Sequence, residues 1–158
     1  MNQGFYSGSN YRIDDSVFHL MRRAFTALTA SMEATLDQKD ELTQVQVRAL
    51  RCLLCHGTLR IVELARLSGV TDPAMTRLLD RLERKRLCQR VRTASDRRVV
   101  NVVLTALGRA IAEKYTPTVI EFQNQILAGF SSSEFDHLQE LLERMVKNSS
   151  QSSADQEP

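Results

Sequence analysis

The sequence predicts a mainly α-helical protein of the α+β class, with a single β-hairpin near the centre of the chain. Apolar residues recur at steps of three and four in several long segments, as they do on one face of an amphipathic helix. Between positions 99 and 104, β-branched residues dominate, which favours a strand. The length of 158 residues, with 42% hydrophobic and 25% charged residues, is typical of one globular domain with a small appendage.

The first predicted element is a helix within residues 13–40, preceded by a polar, flexible arm at residues 1–12. Its apolar face recurs at helical spacing and comprises Val17, Leu20, Met21, Ala24, Leu28 and Met32. Phe18 and Phe25 also lie on this helix. If the helix stood alone against the rest of a chain of this size, these two rings would remain in water, so we expect the helix to lie at an interface.

A second helix begins at Thr43. Thr43 and Gln46 have the spacing of a capping box, and Leu42 and Val47 can close a hydrophobic staple across it. The apolar pattern continues as far as Gly57. A short strand is predicted immediately afterwards, at residues 59–61.

Two short helices with a glycine-containing turn between them come next. The first spans residues 63–67, the turn spans 68–71, and the second helix spans 72–86. Asp72 can cap the second helix, and Pro73 suits its first position. This is the spacing of a helix-turn-helix, in which the second helix is the recognition helix.

A β-hairpin follows the recognition helix. Its strands are predicted at residues 88–92 and 99–104, and the polar connector at 93–98 forms its tip. A hairpin in this position is a wing, so the central region 41–104 is predicted to be a winged helix-turn-helix. The tip could place an arginine in the minor groove of a neighbouring DNA segment.

The rest of the chain predicts two more helices, within residues 105–147. The long helix that begins at Thr105 contains Pro117, which we expect to bend or interrupt it. Ser131 begins the last helix with a second capping box. Residues 148–158 are rich in Ser and Gln, and they are predicted to be a disordered tail.

Positive charge is concentrated in one stretch of the sequence. Residues 77–98 hold nine basic residues against three acidic ones, a net charge of +6, whereas the remaining residues together carry −4. Eight of the nine are arginines, whose planar fork suits phosphate oxygens and the guanine edge. Clustered charge of this kind indicates a surface that binds a polyanion.

Several classes of protein are not expected. No apolar run is long enough to cross a bilayer, and no secretory signal is visible at the N-terminus. Three cysteines form no disulfide framework, so we expect a reduced, cytoplasmic protein. No paired nucleophile and base, glycine-rich phosphate loop or metal-ligand set is recognisable, which predicts a protein that is not an enzyme and that needs no cofactor or metal.

Residues 42–107 closely resemble the MarR family of bacterial transcription regulators. The resemblance rests on the order and spacing of five pieces: residues 42–46 (LTQVQ), 63–65 (ELA), 76–83 (TRLLDRLE), 96–98 (DRR) and 104–105 (LT). Where the family usually has a glycine before the first wing strand, this sequence has Arg86. The resemblance implies a winged-helix homodimer, with a helical dimerisation domain built from the first helix and the last two. It also implies a repressor that binds a pseudo-palindromic operator in double-stranded DNA.

The helix-turn-helix and the wing supply the candidate DNA-binding residues. On the recognition helix, Arg77 is the best candidate for reading a guanine, and Thr76 and Ala74 could contact a thymine methyl group or a phosphate. The resemblance implies that the wing arginine Arg98 is oriented by Asp96 and enters the minor groove. Arg90, Arg92 and Arg97 are predicted phosphate contacts. The complete set is Thr71, Asp72, Ala74, Thr76, Arg77, Arg90, Arg92, Asp96, Arg97 and Arg98.

The sequence leaves three hypotheses open about how DNA binding is controlled and whether it occurs. The resemblance implies release from DNA by a small aromatic carboxylate or phenolic effector, for which His19, Arg22 and Arg23 are candidate ligand-binding residues. A redox switch through Cys52, Cys55 or Cys88 is an alternative, although a buried thiol is usually inert. A third hypothesis is a helical protein-interaction module that does not read DNA.

Overall fold

The computed structural model describes residues 4–92 and 99–154, of which the side chains of 150 and 152–154 are not described. They form six helices and three strands, together with a 3₁₀ turn at Gln38–Asp40. In chain order the elements are α1 (Val17–Ala34), α2 (Gln44–His56), β1 (Leu59–Arg60), α3 (Ile61–Ser68), α4 (Asp72–Arg84), β2 (Cys88–Arg92), β3 (Val100–Leu104), α5 (Ala106–Ile126) and α6 (Ser132–Ala154). The described chain divides into two compact units, before and after the bond between Ile120 and Glu121.

The first unit contains the predicted winged helix-turn-helix. Its sheet has the order β1-β3-β2 with antiparallel pairs, so the predicted hairpin and the predicted short strand form one sheet. Cys88 pairs with Leu104 and Arg92 with Val100. The mainly helical fold class with a small antiparallel sheet is confirmed.

The core of this unit lies between the helices of the winged region and the sheet. Its fully buried side chains come from α2, α3, α4 and β3, and they include Leu50, Leu53, Leu64, Met75, Leu79, Leu82 and Val102. Burial of one such leucine contributes about 1.5 to 3 kcal/mol. On α4 the buried residues Met75, Leu79 and Leu82 recur at helical spacing on one side. The opposite side of the helix therefore faces solvent.

Both predicted capping boxes are present. The Thr43 amide donates to Gln46 Oε1 at 2.9 Å, and the Gln46 amide donates to Thr43 Oγ1 at 3.4 Å. At α6, the Ser131 amide donates to Glu134 Oε2 at 2.8 Å, and the Glu134 amide donates to Ser131 Oγ at 3.3 Å. The hydrogen bonds that the Glu134 carboxylate accepts from the Ser131 amide and hydroxyl lower the pKa of Glu134.

The start of α4 differs from the prediction. Thr71, not Asp72, is the N-cap residue, and no side-chain hydrogen bond caps the helix there. Asp72 is the first residue of the helix, so Pro73 takes the second position. Proline is tolerated at either place because the first amides of a helix have no intrahelical acceptor.

The C-terminal helices differ from the prediction in two places. Pro117, predicted to bend or interrupt α5, does not interrupt it, since Tyr115 and Val119 on either side of it are buried and their packing outweighs one lost hydrogen bond. The tail predicted at 148–158 is helical as far as Ala154. Gln is a good helix former, Ser is neutral, and residues 148–154 contain no proline or glycine, so the helix can continue to Ala154.

Large apolar side chains on α1 are exposed in the single chain. Phe18 is 78% exposed and Phe25 is 60% exposed, as the sequence predicts for a helix without a partner in its own chain. In the second unit, α6 likewise exposes Leu141, Met145 and Val146. Among the described residues, no helix is both long and apolar enough to cross a membrane.

Candidate nucleic-acid interface

The turn between α3 and α4 is held in place from two sides. Gly69 ends α3 in the left-handed conformation, with φ of 65°, and the Val70 amide donates to the Ala65 carbonyl at 3.1 Å. From α2, Arg48 Nη1 donates to the Ser68 carbonyl at 3.0 Å, and Arg48 Nη2 donates to Gln44 Oε1 at 2.8 Å. Arg48 thus satisfies a carbonyl at the end of α3 and fixes the position from which α4 starts.

The predicted reading residues lie exposed in the first turns of α4 and at its N-cap. All five of these residues are exposed: Thr71, Asp72, Ala74, Thr76 and Arg77. By contrast, Met75 within this segment and Leu79 after it are fully buried. Thr76 Oγ1 donates to the Asp72 carbonyl at 3.0 Å. The structure therefore leaves these five predicted residues exposed at the start of the helix.

Positive charge continues along the same helix and beyond it. Arg81, Arg84 and Arg86 are exposed, and Arg84 Nε donates to the Asp80 carbonyl at 3.3 Å. Arg86 has a φ of 58° and occupies the left-handed conformation between α4 and β2. The basic stretch seen in the sequence is therefore a surface that extends from the recognition helix to the base of the wing.

Arg90 on β2 has partners that the sequence did not reveal. Its guanidinium forms ion pairs with Asp80, at 2.8 Å between Nη1 and Oδ1, and with Glu83. Nη2 donates to the Thr76 carbonyl at 3.1 Å, and the Arg90 amide donates to Glu83 Oε1 at 2.7 Å. Only 24% of its side chain is exposed. Through these contacts Arg90, which the sequence predicts to contact phosphate, joins the first wing strand to the recognition helix.

Arg92, predicted to contact phosphate, is exposed at the end of β2. The wing tip, with the predicted residues Asp96, Arg97 and Arg98, lies outside the described residues.

The candidate effector residues lie on α1. Arg22 and Arg23 are exposed beside each other and, with Leu20, Ala24 and Thr26, they line a shallow groove. His19 is half-buried one turn earlier and does not line this groove. Two cations beside apolar side chains form a surface that suits an aromatic carboxylate.

The cysteines differ in their surroundings. Cys88 is buried, and desolvation raises the pKa of its thiol to about 12. Burial also raises the pKa of Cys52, and Cys55 is exposed. Because the thiolate is the reactive form, Cys88 and Cys52 are poor redox centres. Within residues 4–92 and 99–154, no cluster of three or more His, Cys, Asp or Glu side chains could hold a metal ion.

Comparison with known proteins agrees with this geometry. Residues 42–100 match the sequence model of the MarR family. A probable transcriptional regulator from Pseudomonas aeruginosa is 29% identical, covers 85% of this chain and 99% of its own, and superposes with a TM-score of 0.74.

Two further solved structures add information on binding. One is Bordetella bronchiseptica BpsR, whose DNA binding is regulated by 6-hydroxynicotinic acid; it is 27% identical over 82% of this chain and 98% of its own, with a TM-score of 0.73. The other is S. aureus MepR in complex with DNA, which is 26% identical over 84% of this chain and 98% of its own, with a TM-score of 0.74. The match over residues 42–100 and these likenesses, each extending over more than 80% of the chain, make the protein similar to regulators of the MarR family.

Proposed function

We propose that this protein is a homodimeric transcription regulator that binds a specific site in double-stranded DNA, and that it acts as a repressor released by a small aromatic acid or phenol. The observation that carries this proposal is the exposed face of α4. It presents Thr71, Ala74, Thr76 and Arg77 at the start of a helix whose opposite side is fixed in the core. In a helix-turn-helix, these first turns enter the major groove.

The dimer is proposed from the exposed apolar faces of α1 and α6. Large exposed patches of this kind usually mark interfaces, and a second copy of the chain would supply the same apolar side chains. A two-fold dimer presents two recognition helices. Half-sites spaced by about one helical turn, roughly 34 Å, then follow from geometry.

Each part of the surface has a proposed role. Arg77 reads a guanine, Arg92 contacts phosphate, and Arg98 enters the minor groove with Asp96 beside it. The exposed pair Arg22 and Arg23 on α1 binds the carboxylate of the effector.

A mobility-shift assay on DNA fragments from upstream of the protein's own gene tests the proposal. We expect a retarded complex whose affinity falls steeply with salt concentration, and whose retarded species contains two protomers. Absence of binding to every fragment at low ionic strength, or a monomer in sedimentation, would contradict it. Addition of aromatic carboxylates to the complex tests release, and any active compound must also bind more tightly to the DNA-free protein.

The Arg77→Ala variant is expected to bind the operator about tenfold more weakly and to discriminate poorly at one base pair in each half-site. Its melting temperature should stay at the wild-type value because Arg77 is exposed. Titration of a set of single-base operator variants measures both effects. Arg109→Ala, at an exposed arginine of α5, is the matched control and should bind as the wild type does. An Arg77→Ala protein with wild-type base preference would remove Arg77 from the reading face.

Arg92→Ala should behave differently, because a phosphate contact carries no base information. We expect the affinity to fall equally for specific and unrelated DNA. The slope of log K against log salt should become shallower by about 0.9 for each subunit that makes the contact. Binding isotherms at four or five salt concentrations measure this slope. A slope identical to that of the wild type would show that Arg92 does not neutralise a phosphate.

A further inference from the structure

The 3₁₀ turn at Gln38–Asp40, between α1 and α2, receives side chains from two distant helices. From α5, Lys114 Nζ and Tyr115 Oη each donate to Asp40 Oδ2, at 2.6 and 2.7 Å. From the end of α4, Lys85 Nζ donates to the backbone carbonyl of Asp40 at 3.1 Å. A single residue therefore touches both the long C-terminal helix and the end of the recognition helix.

The contacts with α5 are strong enough to hold this turn. Tyr115 is 2% exposed, and its hydroxyl also donates to the Asp37 carbonyl at 3.4 Å. Burial and the neighbouring Asp40 raise the pKa of Tyr115 to about 12, so the phenol keeps its proton and remains a donor. The hydrogen bonds from Lys114 and from Tyr115 lower the pKa of Asp40, which therefore stays ionised. Hydrogen bonds to a charged acceptor are the stronger kind.

Neighbouring contacts join α1 to α2, and the end of the turn to the end of α4. Glu33, near the end of α1, accepts a hydrogen bond from the Gln44 amide at 2.8 Å and so caps α2. Lys85 Nζ also lies 3.2 Å from Glu41 Oε2. Glu41 itself has a φ of 49°, an uncommon conformation for a residue other than glycine. A turn that holds such a residue in place is over-determined by its surroundings.

We propose that Asp40 is a positioning residue for DNA binding, which fixes the C-terminal end of the recognition helix relative to α5. The inference rests on the proposed function, in which the chain forms a dimer and α4 reads the operator, and on the resemblance, which implies that the dimerisation domain contains the first helix and the last two, α5 among them. The separation of two recognition helices in a dimer depends on how each α4 is held against the dimerisation helices. Asp40 touches no DNA in this scheme. It sets the half-site spacing that the dimer accepts.

The test uses the full-length protein with Tyr115→Phe, Asp40→Asn or Lys85→Met. Asp14→Asn, an exposed aspartate before α1, is the control for the change of charge. Affinity is measured by fluorescence anisotropy on the operator and on versions with one base pair inserted or removed between the half-sites. We expect each test variant to bind the operator about fivefold more weakly or worse, and to lose most of the wild-type preference for the natural spacing.

A second measurement tests the connection between α4 and α5 in the absence of DNA. Hydrogen exchange at the amides of residues 84–87 should be faster in Tyr115→Phe than in wild type, and unchanged in Asp14→Asn. Wild-type spacing preference together with unchanged exchange would overturn the inference, even if the variants are less stable. If the wild type binds no DNA fragment, the proposed function fails, and the exchange experiment still decides whether Asp40 couples the two helices.

Discussion

The Gly108→Ala variant is expected to be the least stable single substitution considered for this protein. Gly108 is the third residue of α5, and a Cβ at this position would lie 1.7 Å from the Leu87 carbonyl oxygen and 2.7 Å from the carbonyl carbon. Both atoms belong to the backbone, so no side-chain rotation can relieve the overlap. Either the start of α5 or the chain between α4 and β2 must move.

Movement at this point disturbs the joint that holds the wing. The Leu87 carbonyl accepts a hydrogen bond from the Thr105 amide at 3.1 Å. Thr105 Oγ1 donates to the Arg86 carbonyl at 2.6 Å and accepts from the Gly108 amide at 3.0 Å. Since overpacking combines here with the loss of these bonds, we expect a cost of about 3 kcal/mol or more, which lowers the melting temperature by roughly 6 to 12 °C.

Thermal unfolding at one fixed protomer concentration measures the effect, because the stability of a dimer depends on concentration. Gly8→Ala is the matched control, since a Cβ at Gly8 meets no atom within 4 Å and Gly8 does not have a positive φ. Equal melting temperatures for the two variants would show that the close approach of α5 to Leu87 does not exist in solution.

Local patterns in the sequence predicted much of this fold. The capping box at Thr43 and the strand at Cys88–Arg92 were both predicted in place, because each signal is complete within a few residues. The same holds for the exposed face of α4, since 3.6-residue periodicity alone decides which side chains oppose the buried Met75 and Leu79.

The contacts that position the site could not be predicted in the same way. Arg48 bonds a carbonyl 20 residues away, and Asp40 meets Tyr115 across 75 residues. No local spacing encodes such a pair, and a sequence without an alignment offers no covariation to find it. The apolar neighbours Val47 and Ala49 carried no signal for Arg48 either, because adjacent residues of a helix point in different directions.

Arg86 adopts a backbone conformation that its residue type does not indicate. It stands where the family resemblance leads one to expect glycine, and the structure gives it a φ of 58°. The chain keeps the left-handed turn between the recognition helix and the wing although its side chain disfavours that conformation. The geometry of this turn is therefore imposed by its surroundings, among them the Thr105 hydroxyl that donates to the Arg86 carbonyl.

Substitution of Arg90 is expected to weaken both folding and DNA binding. Arg90→Met retains most of the aliphatic stem but removes the fork that joins Asp80, Glu83 and the Thr76 carbonyl. Loss of charge-assisted hydrogen bonds at a partly buried site costs about 2 kcal/mol of stability. It also removes the side-chain contacts that join the first wing strand to the recognition helix. We therefore expect operator affinity to fall by at least about tenfold, because the wing and the recognition helix are no longer held in one geometry.

Arg90→Lys separates the two roles that Arg90 could have. A lysine preserves the positive charge, so a residue that served only as a phosphate contact would keep most of its affinity. A lysine ammonium cannot reproduce a planar fork that bridges two carboxylates and a carbonyl. We expect Arg90→Lys to bind nearly as weakly as Arg90→Met, with a lowered melting temperature. The opposite outcome is near wild-type affinity for Arg90→Lys together with reduced affinity and a shallower salt slope for Arg90→Met. It would show that Arg90 contacts a phosphate. The difference in operator affinity between Arg90→Lys and Arg90→Met thus decides between two roles. Either the planar fork of Arg90 holds the wing on the recognition helix, or Arg90 contributes only a positive charge.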